Sequence, residues 1–128
     1  MDSEHILIVE DDRGVAEILT ELLEDAGYRV TLVHTLSAAR SRLETTDFDL
    51  LLCDILLPDG DAELELELEL ELRSHTACLF MAGHPEAIER LRQQGSHYVQ
   101  KPFKPAQLLH AIRECLDHGK CSQPAIAM

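Results

Sequence analysis

The chain has 128 residues, which is enough for one domain with a hydrophobic core and too few for two. Its composition, 45% hydrophobic and 27% charged, is that of an ordinary globular domain. Eleven basic and 24 acidic residues give a net charge of −13, which argues against direct binding of nucleic acids or anionic membranes but not against cations or protein partners.

Three further features indicate a cytoplasmic location. The sequence opens with no signal-peptide pattern, and no uninterrupted apolar stretch approaches the length needed to cross a bilayer. The four cysteines include no C-x-x-C pair, so we expect free thiols in a reducing compartment.

The first predicted strand is the apolar run that begins at His5, and it leads directly into Glu10, Asp11 and Asp12. Such a run is typical of a strand that is buried on both faces of a parallel sheet. Three consecutive carboxylates repel one another, and a divalent cation such as Mg²⁺ would relieve that repulsion because it prefers hard oxygen ligands. The alternative at this point is an acidic loop that merely caps the following helix.

Predicted helices and strands then alternate along the rest of the chain. The elements are a helix capped by Asp12 and stopped by Gly27, a strand at 29–33, a helix capped by Ser37 and ending near Thr45, strands at 48–53, 77–81 and 97–100, and helices at 86–94 and from Pro105 to Gly119. Five strand–helix alternations with short connections predict a doubly wound α/β fold: a five-stranded parallel sheet with about five helices on its two faces. Ligands of such sheets bind beyond the carboxyl ends of the strands, so we expect the acids that follow the first strand and Asp54, which follows the third, to converge.

Residues 63–72 repeat Glu-Leu five times, and this run is ambiguous. Strict alternation of charged and apolar residues is typical of a strand with one solvent-exposed face. Glu and Leu are nevertheless strong helix formers, and a parallel crossover needs a covering helix, so we predict a helix and keep the strand as the alternative. As a helix, the run places leucines on opposite sides, and the exposed set would favour self-association, which makes a homodimer one expected assembly.

Asp11 and Asp54 are 43 positions apart, the segment from Asp54 to Gly60 reads D-I-L-L-P-D-G, and Lys-Pro-Phe begins at Lys101. The order and spacing of these three motifs resemble the receiver domain of two-component response regulators. The resemblance implies a flavodoxin-like sheet with strand order 2-1-3-4-5. It places the receiver domain at residues 1–118, with a disordered tail or the start of a linker at 119–128.

The resemblance also implies a role for each site residue. Asp54 would accept a phosphoryl group from the phosphohistidine of a sensor histidine kinase or phosphotransfer protein, and Lys101 would pair with Asp54 and then with that group. Mg²⁺ would be held by Asp11 and Asp54, by Glu10 through water, and by the backbone carbonyl of Leu56. The chain would then be a phosphoacceptor signalling domain that assists its own phosphorylation and dephosphorylation, and not an enzyme.

Two departures from the family pattern affect the expected function. Met81, followed by Ala82, stands where the family has a Ser or Thr switch residue, although Tyr98 matches the aromatic switch position. Methionine cannot donate a hydrogen bond to a phosphoryl oxygen, so we expect weakened coupling to the output surface. The alternative function is a docking or dimerisation module that acts without phosphorylation.

A third class of function is a metal-dependent hydrolase with Asp54 as nucleophile. It ranks last because the sequence offers no second general acid at that nucleophile. Leu56 and Gly83 flank the expected pocket where some family members carry polar groups that assist a hydrolytic water. We therefore expect a phosphoryl group on Asp54 to be lost slowly.

Overall fold

A five-stranded parallel sheet forms the centre of the computed structural model, which describes residues 3–62, residue 66 and residues 75–118. The strands are β1 His5–Val9, β2 Arg29–Val33, β3 Leu50–Asp54, β4 Leu56–Leu57, β5 Gly60–Asp61, β6 Ala77–Ala82 and β7 Tyr98–Gln100. The main sheet has the order β2-β1-β3-β6-β7, and β4 pairs with β5 in a separate antiparallel hairpin. With that hairpin left out of the numbering, the order is the predicted 2-1-3-4-5.

The described residues contain four α-helices, close to the predicted five. They are α1 Arg13–Asp25, α2 Leu36–Thr45, α3 Pro85–Gln94 and α4 Pro105–His118. None of the helices in these ranges is long and apolar enough to cross a membrane.

Helices cover both faces of the sheet, which explains why its central strands are apolar on both faces between His5 at the start of β1 and Asp54 at the end of β3. One core cluster joins Leu7, Val9 and alternate residues of β3 to buried side chains of α2 and α3. The other joins Ile6, Ile8 and the intervening residues of β3 to buried side chains of α1 and α4. Because successive side chains of a strand point to opposite faces, each buried strand contributes to both clusters.

The first residues of two helices are fixed by side-chain caps. Asp12 Oδ1 accepts a hydrogen bond from the backbone N–H of Val15 at 3.1 Å, as predicted for α1. The predicted cap of α2 at Ser37 is wrong. Thr35 has the extended backbone of a capping residue, and its Oγ1 accepts from the N–H of Ala38 at 3.1 Å, so Ser37 lies within the first turn.

Most of the Glu-Leu run, like residues 119–128, lies outside the described residues. The exception is Leu66, whose side chain is fully buried in the cluster that α2 and α3 share. Its N–H donates to the carbonyl of Ala62 at 3.0 Å. The helix over 63–72, the homodimer and the disordered tail stay predictions.

Candidate functional site

The sequence-predicted acids meet at the carboxyl edge of the sheet. Glu10 and Asp11 directly follow β1, and Asp54 is the last residue of the neighbouring strand β3. Glu10, Asp11 and Asp54 each offer a carboxylate oxygen, and these oxygens lie within 4.8 Å of one another. Strand pairing therefore brings together residues that are more than 40 positions apart in the sequence.

Lys101 reaches the same acids from the end of β7. Its Nζ donates to Asp54 Oδ2 at 2.8 Å and lies 3.5 Å from Glu10 Oε1, an ion-pair distance. Burial alone would lower the pKa of the Lys101 ammonium, but its hydrogen bond and charge interaction with Asp54, together with the charge of Glu10, raise the pKa overall. Lys101 is thus held as a cation between two carboxylates, and the peptide bond from it to Pro102 is cis.

Glu10 is a buried acid, and one of its two carboxylate oxygens accepts no hydrogen bond from the described residues. Only 2% of the residue is exposed, and its Oε2 accepts from the N–H of Asp12 at 3.2 Å. Oε1 has no hydrogen-bond donor among the described residues. Burial raises the pKa of the Glu10 carboxyl, opposed by the Asp12 N–H and by Lys101 and reinforced by the charges of Asp54 and Asp11. A buried carboxylate oxygen that has an ion-pair contact with Lys101 but no hydrogen-bond donor, beside two further carboxylates, belongs to a donor set that fits a hard divalent cation.

The hairpin after Asp54 is anchored to two helices. The N–H of Leu56 lies 3.4 Å from Asp54 Oδ1, and the Leu56 side chain is 47% exposed. The carboxylate of Asp59 accepts from the N–H groups of Leu36 and Ser37, both at 3.0 Å, at the start of α2. These N–H groups, that of Leu36 first, lower the pKa of Asp59.

The second anchor joins the hairpin to α3. Asp61 Oδ2 accepts from Arg90 at 2.6 Å. The loop that follows Asp54 is therefore held between α2 and α3.

The two predicted switch residues lie on opposite faces of the sheet. Met81 is the ladder partner of Asp54, and its buried side chain belongs to the cluster beneath α1 and α4. Tyr98 packs against the other cluster, which contains Ala82. The sequence analysis missed that Ala82, not Met81, shares a face with Tyr98. Neither Met81 nor Ala82 carries a hydroxyl group.

Sequence reasoning also missed His34 and Asp59, which make polar contacts beside the site. Their partners are 21 to 24 positions away in the sequence. The alternation of side chains along β6 could have identified Ala82. Asp59 lies within the motif from Asp54 to Gly60, but nothing in that motif indicates its contact with α2, and His34 belongs to no motif.

Comparison with known proteins agrees with this geometry. The family model described as the response regulator receiver domain matches residues 6–113. The chain is 33% identical over 119 residues to the uncharacterized transcriptional regulatory protein YkoG of Bacillus subtilis, covering 91% of this chain and 52% of that protein. It is 33% identical over 114 residues to the two-component response regulator PprB of Pseudomonas aeruginosa, covering 84% and 42% respectively.

Solved structures show the same fold. A CheY-like response regulator receiver domain protein from Methanospirillum hungatei superimposes with a TM-score of 0.82 at 31% identity, covering 91% of this chain and 96% of that one. The chain spans about half the length, or less, of the two curated relatives named above.

Proposed function

The chain belongs to the response regulator receiver family of two-component systems, and from that premise we propose that Asp54 is its phosphoacceptor. The observation that carries the proposal is the Lys101 ammonium 2.8 Å from Asp54 Oδ2, at a sheet edge where Glu10 and Asp11 add two further carboxylates. The donor is the phosphohistidine of a sensor histidine kinase or phosphotransfer protein, and the reaction takes place in the cytoplasm.

The transfer is a displacement at phosphorus. A carboxylate oxygen of Asp54 forms the new bond to phosphorus while the phosphorus–nitrogen bond of phosphohistidine breaks, and the electron pair stays with the donor imidazole. The Lys101 ammonium offsets negative charge on Asp54 before transfer and on the phosphoryl oxygens after it. The product is an acyl phosphate on Asp54.

Mg²⁺ is the cofactor that fits the donor set. Asp11 and Asp54 would hold it directly, Glu10 through water, and Leu56 through its backbone carbonyl. When bound, Mg²⁺ neutralises the charge of the carboxylates and of the incoming phosphoryl oxygens. Oε1 of Glu10 supports this assignment, because a buried carboxylate oxygen without a hydrogen-bond donor is costly. The Lys101 ammonium, 3.5 Å away and hydrogen-bonded to Asp54, compensates that cost only in part.

The output of phosphorylation is a changed protein-binding surface, and we propose that its coupling to Asp54 is weak. Both Met81, beside Asp54 in the ladder, and Ala82, on the face of Tyr98, lack a group that could donate to a phosphoryl oxygen. The domain, proposed to end at residue 118, would regulate a partner or an output segment of a longer protein.

Phosphorylation with a small phosphodonor tests the proposal. Intact-mass spectrometry after incubation with acetyl phosphate should show one added phosphoryl group with Mg²⁺ and none with EDTA. Asp54→Asn should stay unmodified, whereas Asp47→Asn, which alters an exposed carboxylate away from the site, should behave like the wild type. A wild-type protein that stays unmodified at saturating Mg²⁺ would leave the phosphorylation-independent docking module as the better description.

Beryllofluoride titration followed by NMR tests the coupling. We expect amide shifts concentrated at residues 10–12 and 54–56, with small shifts in α3, β7 and α4. Shifts in those elements as large as those of a receiver with the usual Ser or Thr would contradict weak coupling.

A further inference from the structure

His34, the first residue after β2, contacts the main chain of the acidic cluster. Its Nδ1 lies 2.9 Å from the carbonyl oxygen of Glu10, and its Nε2 lies 3.2 Å from an Nη of Arg13. His34 is half-buried, and none of the motifs described above includes it. These two contacts link the ends of β1 and β2 to the first residue of α1.

The two partners decide which ring nitrogen carries the proton. A guanidinium group only donates hydrogen bonds, so Nε2 of His34 must accept from Arg13. A carbonyl oxygen only accepts, so Nδ1 must carry the hydrogen and donate to Glu10. The hydrogen-bond network therefore places a ring proton of His34 on Nδ1.

The carbonyl that His34 binds belongs to the peptide group that joins Glu10 to Asp11. On the other side of Glu10, its N–H donates to the carbonyl of Val33 at 3.1 Å. Consecutive residues at the end of β2 thus hold the backbone on both sides of Glu10. Without the imidazole, the Glu10 carbonyl would lose its donor and the Glu10–Asp11 peptide plane could rotate, which would change the directions of both carboxylates.

We propose that His34 is a positioning residue for the cation site: it fixes the peptide plane between Glu10 and Asp11 so that both carboxylates face Asp54. This inference rests on the proposed function, because it takes Glu10 and Asp11 as the residues that hold Mg²⁺. His34 acts through the backbone and does not itself contact the cation or the phosphoryl group.

Magnesium binding of His34 variants tests the proposal directly. Amide shifts of residues 10–12 and 54–56 during a MgCl₂ titration report the Kd. His34→Leu removes both hydrogen bonds and should raise the Kd by about tenfold, the lower end of the effect of losing a residue that orients a ligand. His34→Asn places an amide N–H near the position of Nδ1 but has no group that reaches Arg13, so its Kd should stay within about threefold of wild type.

Phosphorylation provides a second readout that separates positioning from folding. At low Mg²⁺, His34→Leu should be phosphorylated by acetyl phosphate about tenfold more slowly than wild type, and saturating Mg²⁺ should restore the wild-type rate. Because Mg²⁺ binding would also refold a destabilised variant, far-UV circular dichroism in EDTA must first show that His34→Leu is folded without Mg²⁺. Wild-type Mg²⁺ affinity in a folded His34→Leu protein would overturn the proposal.

The wild-type protein provides a test that needs no variant. Long-range ¹H–¹⁵N NMR correlations of the His34 ring should show the proton on Nδ1, and a proton on Nε2 alone would overturn the proposal.

The outcomes distinguish this inference from the proposed function. Unchanged Mg²⁺ binding in His34→Leu, in a protein that is still phosphorylated on Asp54, overturns only the role of His34. If Mg²⁺ binds in a His34-dependent way but Asp54 is never phosphorylated, only the phosphoacceptor proposal fails.

Discussion

Glu10 is a carboxylate that is buried although one of its oxygens has no donor among the described residues. A buried polar atom without a partner costs about 1–3 kcal/mol, and Lys101 at 3.5 Å offsets only part of that cost. We predict that Glu10→Gln stabilises the metal-free protein by roughly 1 kcal/mol at pH 7, because the amide carries no charge to desolvate. Urea unfolding in EDTA would measure this difference.

The pH dependence of this difference follows from the raised pKa of Glu10. When the pKa of a group is higher in the folded protein than in the unfolded chain, protonation of the group stabilises the folded protein. This stabilisation is fully present below the pKa of the unfolded chain and is lost as the pH rises through the pKa of the folded protein. The advantage of Glu10→Gln should therefore shrink as the pH falls toward about 4, where wild-type Glu10 is protonated in both states. Glu17→Gln, at an exposed position of α1, is the control, and an equal gain there would contradict the prediction.

Leu56 sets the expected lifetime of the phosphoryl group on Asp54. Its side chain is 47% exposed next to the phosphoacceptor and offers no polar atom to orient an attacking water. We predict that loss of the phosphoryl group takes many minutes and that Leu56→Asn shortens it by roughly tenfold. Mass spectrometry after removal of the phosphodonor would follow the decay, and a wild-type lifetime of seconds would refute this expectation.

At the scale of elements, the start of α2 is capped by a residue that is distant in the sequence, Asp59 of the hairpin that follows Asp54. Asp59 accepts hydrogen bonds from two N–H groups in the first turn of α2. We predict that Asp59→Ala destabilises the protein by about 1 kcal/mol at pH 7, the usual cost of losing a helix cap. Asp47→Ala removes an equally charged, exposed carboxylate and should change the free energy of unfolding by much less.

Acidic pH should abolish the contribution of Asp59 to the free energy of unfolding. Because backbone N–H groups lower its pKa in the folded protein, its stabilisation is present above the unfolded pKa and is lost as the pH falls through the folded pKa. The difference between wild type and Asp59→Ala should therefore decline below about pH 4, as measured by chemical denaturation. A difference that is constant down to pH 2 would show that the carboxylate charge is not what stabilises α2.

The elements and the acidic site could be predicted because their signals are local. Buried strands are continuous apolar runs, and the acids at Asp11 and Asp54 follow such runs. Lys101 follows the shorter strand β7, and the parallel topology brings all three residues to one edge. The contacts of Asp59 and His34 could not be predicted, since both residues bind backbone groups that are distant in the sequence. The switch position was assigned to Met81 and not to Ala82, which shares a face with Tyr98, because an error of one residue moves a side chain to the opposite face.

At the scale of the whole molecule, the acidic site opposes the stability of the fold. The chain carries a net charge of −13, and Glu10, Asp11 and Asp54 crowd further negative charge at one edge of the sheet. Lys101 is the cation that the described structure places between Asp54 and Glu10. A site built for a cation and a phosphoryl group is therefore expected to be strained by repulsion in the free protein.

Mg²⁺ should relieve this repulsion and stabilise the whole domain. A cation that binds only the folded state at ten times its Kd adds about 1.4 kcal/mol, which would raise the Tm by about 5 °C for a chain of this size. Because any salt screens a net charge of −13, the comparison must use NaCl at the same ionic strength. Asp11→Asn should raise the Tm of the metal-free protein, since it removes one of the crowded charges, and should abolish the specific response to Mg²⁺. Differential scanning calorimetry would measure both effects, and an equal response to Mg²⁺ in wild type and Asp11→Asn would show that the cation binds elsewhere.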